Sequence, residues 1–243
     1  MNRKIKIIFF DLGDTLVDMS ISRRALDFGI KGVLPGKVIT DELLVKWERE
    51  SYITFEYYFK KGEFYTVRGL QEISLKKVLL GEGVDLEDHK IDDIINKFWQ
   101  YLIKNCQFYD DVLPILSKLV QDQFDLGLIT NADEEYVNGI LKKHNLDSIF
   151  KIKVISSVLK SYKPGLLIFK RALELAKCLP NEAIYVGDSF TDICGAKKLG
   201  LITVLIHRNK SIESMAEIKP DFEINSLFKL NAIANNILSE ENK

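Results

Sequence analysis

Ile7-Ile8-Phe9-Phe10, running straight into Asp11, is the feature that most limits what this chain can fold into. Four apolar residues in succession leave no polar face. The segment therefore predicts a strand covered on both sides, as in a parallel sheet flanked by helices. Asp11 falls where that strand emerges, at the carboxyl edge where open α/β sheets bind ligands. A carboxylate there can act as a nucleophile, hold a cation or cap a turn.

Four more strand-like runs follow, and three of them end in polar residues. Phe124 to Ile129 ends in Thr130-Asn131, Ile152 to Ile155 in Ser156-Ser157, and Ala183 to Val186 in Gly187-Asp188-Ser189; Leu201 to Ile206 is the last. Helical patterns separate them at Val112 to Val120, Glu134 to Lys143, Leu166 to Lys177 and Ile193 to Leu199. Pro164 suits the first position of its helix, and Thr191 or Asp192 could start the next. Alternation of this kind predicts a parallel sheet with right-handed crossovers. Asp11 must sit on a central strand to meet the other strand ends, so the expected order is third, second, first, fourth, fifth. Asp221 to Ile224 adds a candidate edge strand and Ser226 to Leu238 a closing helix, with fraying from Ser239 to Lys243.

Residues 18–106 read differently. Their apolar residues recur at helical spacing, as in Ile91, Ile94, Ile95, Phe98 and Leu102. A helical cap over 18–106, inserted into an α/β core of 1–17 and 107–243, is the resulting division. With 243 residues, 47% of them hydrophobic, one domain plus an insertion has ample core material. Acidic and basic residues nearly balance, 35 against 34, so no global field favours nucleic acid or an acidic membrane. No apolar stretch approaches the ~20 residues of a membrane span. The basic start Met1 to Lys4 precedes an apolar run too short for a secretory signal. Cys106, Cys178 and Cys194 show no paired spacing and suit a reducing compartment, so the cytoplasm is expected. Oligomeric state is left open between monomer and homodimer.

The predicted sheet edge collects Asp11, Asp14 and Thr15, then Thr130 and Asn131, Lys163, and Asp188 with Asp192. Paired carboxylates suit Mg²⁺, which prefers oxygen ligands. Lys163 and the cation can neutralise a phosphoryl group while Thr130 and Asn131 donate hydrogen bonds to it. Asp11 remains as a nucleophile able to form an aspartyl-phosphate. Lys160 competes with Lys163, and Asp192 serves equally as ligand or helix cap. His89, His144 and His207 are scattered, and nothing supports a Ser-His-Asp triad.

Taken in order, these motifs resemble the haloacid dehalogenase superfamily, specifically its phosphatase-like members with a helical cap. Asp11-Leu-Gly-Asp-Thr15-Leu is similar to the first motif, and Ile129-Thr130-Asn131 to the second. Lys163-Pro164 is similar to the third, and Gly187-Asp188-Ser189-Phe-Thr-Asp192 to the fourth. The resemblance implies a Rossmann-like core and a Mg²⁺-dependent phosphatase acting on a small phosphorylated metabolite. Asp11 is implied as nucleophile, with Thr130 and Lys163 catalytic and Thr15, Asn131 and Lys163 on the substrate. Asp11, the Gly13 carbonyl, Asp188 and Asp192 are implied at the metal. One position departs: the family's phosphatases carry an acid two residues after the nucleophile, where this chain has Gly13. Asp14 either replaces that acid or caps the turn, and an extended backbone would point its side chain away from Asp11. Without a proton donor, turnover should favour aryl over alkyl phosphates. The rival readings are a metal-independent 2-haloacid dehalogenase, against which Asp188 argues, and a phospho-ligand-binding protein with vestigial turnover.

Overall fold

A computed structural model of the chain describes residues 5–37, 39–208 and 219–239. The basic start at Met1 to Lys4 and all but Ser239 of the expected frayed end lie outside the described residues. β1 (Ile7–Phe10) leads to the two-residue β2 (Val17–Asp18) and then to α1 (Ser22–Val33), α2 (Asp41–Lys61), α3 (Val67–Gly81) and α4 (Asp88–Asn105). β3 (Gln107–Phe108) pairs antiparallel with β2. Alternation follows with α5 (Val112–Gln121), β4 (Asp125–Thr130), α6 (Glu134–Lys143), β5 (Ile152–Ile155), the short α7 (Ser156–Leu159) and α8 (Leu166–Ala176). The chain continues through β6 (Ala183–Gly187), α9 (Phe190–Leu199), β7 (Ile202–Ile206), β8 (Phe222–Ile224) and α10 (Leu230–Ser239).

The main sheet is parallel throughout, in the order β5-β4-β1-β6-β7-β8. That is the expected order with the edge strand added. β1 is buried along its whole length, which is why its sequence carries no polar alternation. On one face, Ile7, Phe9, Ile129, Val154 and Tyr185 pack with Ile168, Phe169 and Ala172 of α8.

Several boundaries differ from expectation for local reasons. α8 begins at Leu166 behind Gly165, so Pro164 precedes the helix instead of opening it. α9 begins three residues early because Ser189 is its N-cap, and Asp192 closes a capping box from the third helical position. Ser156 and Ser157, expected in a turn, open α7. The β2–β3 pairing is too short to leave a periodic signal.

Two compact units divide the chain. One comprises Met1–Asp18, Gln107–Asn131 and His144–Lys243; the other is Met19–Cys106 together with Ala132–Lys143. The second unit therefore holds α6 as well as α1 to α4. Asp133, just before α6, accepts from the Val67 and Arg68 N–H groups at 3.1 and 2.8 Å, satisfying the first turn of α3. Trp99 of α4 meets Tyr136 of α6 edge-on at 4.7 Å. Thr40 and Thr66 cap α2 and α3, accepting from Leu43 and Gly69. Two of the unit's arginines are committed to it, Arg23 to Glu48 and Arg68 to Glu72 and Asp92. Among the described residues, no helix is long and apolar enough to cross a membrane.

Candidate active site

Parallel pairing brings strand ends together, and the site is built at their carboxyl edge. β1 lies between β4 and β6, with Phe10 opposite Leu128 and Val186. Asp11 extends the ladder by one bond, donating its N–H to the Val186 carbonyl at 2.9 Å, and is buried. Thr130, also buried, closes β4, and Asp188 follows β6.

Lys163 reaches this edge from the loop before α8 and is 2% exposed. Its ammonium has three N–H groups and three acceptors: Asp11 Oδ1 at 2.5 Å, Asp192 Oδ1 at 2.6 Å and Tyr185 Oη at 3.0 Å. Its backbone is clamped by Asn131, whose Oδ1 accepts from the Lys163 N–H at 2.8 Å and whose Nδ2 donates to the Lys163 carbonyl at 3.0 Å. Asn131, expected against substrate, thus spends its amide on holding Lys163. Lys160, the competing lysine, ends α7 in a left-handed conformation at φ 58.

Asp192 is saturated. Oδ1 takes Lys163 and the Tyr185 hydroxyl (2.8 Å), while Oδ2 takes the Ser189 N–H at 3.0 Å and its hydroxyl at 2.6 Å. Four hydrogen bonds fill the acceptor sites of one carboxylate. The side chain lies directly over Gly187, where a Cβ would fall 2.4 Å from the Asp192 Cγ.

The loop after β1 is a tight turn. Leu16 and Val17 both donate to the Leu12 carbonyl, and Asp14 donates to Val17 at 2.7 Å. Gly13 forms a lone bridge with Val17. An extended backbone at Asp14 was the premise for turning its side chain away from Asp11. Asp14 instead has φ 54, in the left-handed region that Asp tolerates, so strand alternation does not apply there. Thr15, expected at the substrate, is fully buried and donates to Asp188 Oδ1 at 3.2 Å, which turns its hydroxyl into the protein. Arg208 ties the same loop down from β7, donating to the Thr15 carbonyl through Nε at 3.2 Å and Nη2 at 2.8 Å. Its Nη1 meets Asp111 at 2.8 Å, which also accepts from Ser226 and the Leu227 N–H. The Arg208 guanidinium stacks 4.1 Å above the Tyr109 ring.

Three carboxylates, Asp11, Asp188 and Asp192, cluster beside one ammonium, and the electrostatics register it. Burial raises the Asp11 carboxyl to about 6; Lys163 pulls it down and Asp192 pushes it further up. Asp188 is pushed well above the carboxylate range, first by burial and then by Asp192, Asp11 and Asp14. Burial acts to lower the Lys163 ammonium, but Asp11 and Asp192 outweigh it and the net direction is up. Asp11, Asp188 and Asp192 each bring a carboxylate oxygen within 4.8 Å of the others. An all-oxygen donor set with excess negative charge fits a hard divalent cation. Asp11 and Asp188 would hold it, and Asp192, already saturated, would support them.

Tyr185, Arg208 and Asp111 are the members that sequence reasoning missed. A phenol inside the otherwise apolar run Ala183 to Val186 was the available signal for Tyr185. For Arg208 it was a charge just beyond the end of a predicted strand.

A sequence profile described as haloacid dehalogenase-like hydrolase matches residues 38–206. The glyceraldehyde 3-phosphate phosphatase of Pyrococcus furiosus is 32% identical over 238 residues, covering 94% of this chain and 92% of its own length. The HAD-hydrolase YfnB of Bacillus subtilis, solved bound to magnesium, is similar with a TM-score of 0.80 at 23% identity, over 95% of this chain and 99% of its own. The L-2-haloacid dehalogenase of Xanthobacter autotrophicus is similar at 0.76 and 17% identity, over 95% and 98%. At these identities the two structures establish a shared fold.

Gly187→Ala tests how closely Asp192 is held. A methyl group cannot fit without displacing the saturated carboxylate, so the variant should lose about 1–3 kcal/mol of stability. Gly81→Ala is the control, since a Cβ there meets nothing within 4 Å. It should leave stability unchanged or raise it by up to ~1 kcal/mol. Urea denaturation of both variants makes the comparison, and equal midpoints would refute the close packing.

Proposed function

Because the chain belongs to the haloacid dehalogenase-like hydrolases, we propose that it is a Mg²⁺-dependent phosphatase of small phosphorylated metabolites, with Asp11 as nucleophile. The observation that carries this reading is the buried contact between Asp11 Oδ1 and Lys163 Nζ at 2.5 Å, set among further carboxylates at a strand end. The Pyrococcus furiosus relative makes glyceraldehyde 3-phosphate the first substrate to try. Unpaired cysteines are consistent with a reducing, cytoplasmic setting.

In the first step an Asp11 oxygen attacks phosphorus and the ester P–O bond breaks. Asp11 then carries the phosphoryl group, and the leaving oxygen takes up a proton. Lys163 holds Asp11 in place for the attack, and Thr130, which closes β4, would donate its hydroxyl to the transferring group. Water next attacks the phosphorus and gives a proton back to the carboxylate that protonated the leaving oxygen, the bond to Asp11 breaks, and phosphate leaves with Asp11 regenerated. A bound Mg²⁺ would neutralise phosphoryl charge during both steps. Asp14 is the proton donor in this reading, because its charge is close enough to raise Asp188 and its turn departs from an extended strand. A dehalogenase would gain nothing from this buried acidic cluster, which ranks that alternative second.

Phosphate release from a panel that includes glyceraldehyde 3-phosphate and an aryl phosphate tests the function. Asp11→Asn should lose at least ~10³-fold. Asp14→Ala should lose ~10²–10⁴-fold on alkyl phosphates but little on the aryl ester, whose leaving group needs no acid. Equal losses on both esters would remove Asp14 from the role. Halide release from 2-chloropropionate in chelator would reverse the reading altogether.

The cation can be tested without turnover. A carboxyl whose folded pKa lies above its unfolded value binds more protons in the folded state. Its stabilising contribution is present below the unfolded pKa and is lost as pH rises through the folded one. For Asp11 that window runs from the ordinary carboxylate value of 3.8 to about 6. At pH 7.5, above that window, the metal-free protein has lost the Asp11 contribution. Mg²⁺ should raise its Tm by several degrees, at about 2–4 °C per kcal/mol of binding. Asp188→Asn should raise the metal-free Tm by relieving repulsion and abolish the Mg²⁺ shift. A retained shift in that variant would refute the site.

A further inference from the structure

We propose that Tyr185 is a positioning residue that fixes the Lys163 ammonium against Asp11, an inference that rests on Asp11 being the nucleophile. Tyr185 is fully buried in the middle of β6, between Ile184 and Val186, where phenylalanine would fill the same space. A buried hydroxyl is costly unless it is hydrogen-bonded. Here the hydroxyl is fully engaged. It accepts from Lys163 Nζ at 3.0 Å and lies 2.8 Å from Asp192 Oδ1 and 3.0 Å from the Ile129 carbonyl. The single phenol proton is thus directed at one of two acceptors, and its oxygen faces the lysine.

The ring cannot turn away. Phe169 packs edge-on against it at 5.2 Å and 85°. Phe169 is held in turn by α9, where a Cβ on Gly195 would fall 2.3 Å from its ring and 2.7 Å from the Pro164 carbonyl. That carbonyl is next in the chain to Lys163, so ring, lysine and helix are packed as one unit. Asp11 and Asp192 alone would give the buried ammonium two acceptors, leaving its third N–H without a protein partner. Tyr185 supplies the third and so sets the rotation of the ammonium. Preorganised donors lower a barrier because they need no rearrangement when charge develops. Asp192 positions the same ammonium but also caps α9, whereas the Tyr185 hydroxyl serves only this cluster and the Ile129 carbonyl.

Tyr185→Phe, which keeps the ring, is the test, read beside wild type and Asp11→Asn on the best substrate of the phosphate panel. Losing one hydrogen bond to a charged group should lower kcat about 10-fold with KM within about 2-fold. Inhibition by orthovanadate, a mimic of the transferring phosphoryl group, should weaken by the same factor as kcat, and the Mg²⁺-induced rise in Tm should persist. A merely structural role would lower the active fraction and Tm without moving the vanadate inhibition constant. That constant does not depend on how many molecules are folded, so a poorly folding preparation still decides the question. Wild-type kcat and vanadate inhibition in Tyr185→Phe, with Asp11→Asn inactive, would overturn the Tyr185 role and leave the phosphatase reading standing. A wild type without phosphatase activity, or an active Asp11→Asn, would overturn both.

Discussion

Burying several carboxylates around a single ammonium at the end of a central strand is the constraint on which the rest of this structure depends. Isolated in a protein interior, either kind of charge costs several kcal/mol, and pairing offsets that only when hydrogen bonds complete the geometry. Lys163 meets the condition with three acceptors for three donors, and Asp192 with four donors for its acceptor sites. Asn131 fixes the lysine backbone, Gly187 leaves room for Asp192, and Ser189 joins that carboxylate to the start of α9. Each of these choices looks local in the sequence. Together they form one device for keeping charge in place.

How much of this was legible follows from what kind of signal each part leaves. An apolar run ending on a polar residue marks a covered strand and its exit, so β1, β4, β5 and β6, with the apolar run of β7, and their order can be read without coordinates. Partners between side chains cannot. Thr15 and Asn131 carry the right chemistry at the right edge, yet their polar groups turn to Asp188 and to the Lys163 backbone. Strand-end position gives proximity and says nothing of direction. The helix of Glu134 to Lys143 was equally visible as a helix, but its membership of the unit of α1 to α4 depends on Asp133 and Trp99, contacts distant in sequence. In the sequence, a Pro164 that opens a helix would favour Lys163 over the competing Lys160. The helix opens later, at Leu166, and burial among acids is what distinguishes the two lysines.

A second anchored network reinforces the loop after β1. That turn closes on its own backbone through Leu12, Asp14, Leu16 and Val17, with Asp14 in the left-handed region. Arg208 adds to this by binding the Thr15 carbonyl through two nitrogens and Asp111 through a third, while Asp111 is held below the usual carboxylate range by Arg208 and the Leu227 N–H against the opposing effect of burial. The guanidinium fork suits this task because its donors are fixed in one plane. A lysine, whose three donors share one nitrogen, lacks that planar fork. Position in the loop is thus secured from just beyond β7 and from the turn before α10 as well as by the loop's own backbone hydrogen bonds.

Saturation also ranks the carboxylates. With the Tyr185 hydroxyl turned to it, Asp192 has no acceptor site left for a cation, and releasing Lys163 or Ser189 would strand a buried donor. Asp188 is different. Among the described residues it accepts the Thr15 hydroxyl, it is only half-buried, and its carboxyl is pushed strongly upward by burial and by its acidic neighbours. Spare coordination and excess negative charge coincide there and, in part, on Asp11, which Lys163 and the Leu12 N–H already engage. A ligand that brings positive charge lowers the energy of the folded state most where both conditions hold. The acids that look equivalent in the sequence therefore divide by their hydrogen bonding: Asp192 organises the site, while Asp11 and Asp188 face whatever enters it.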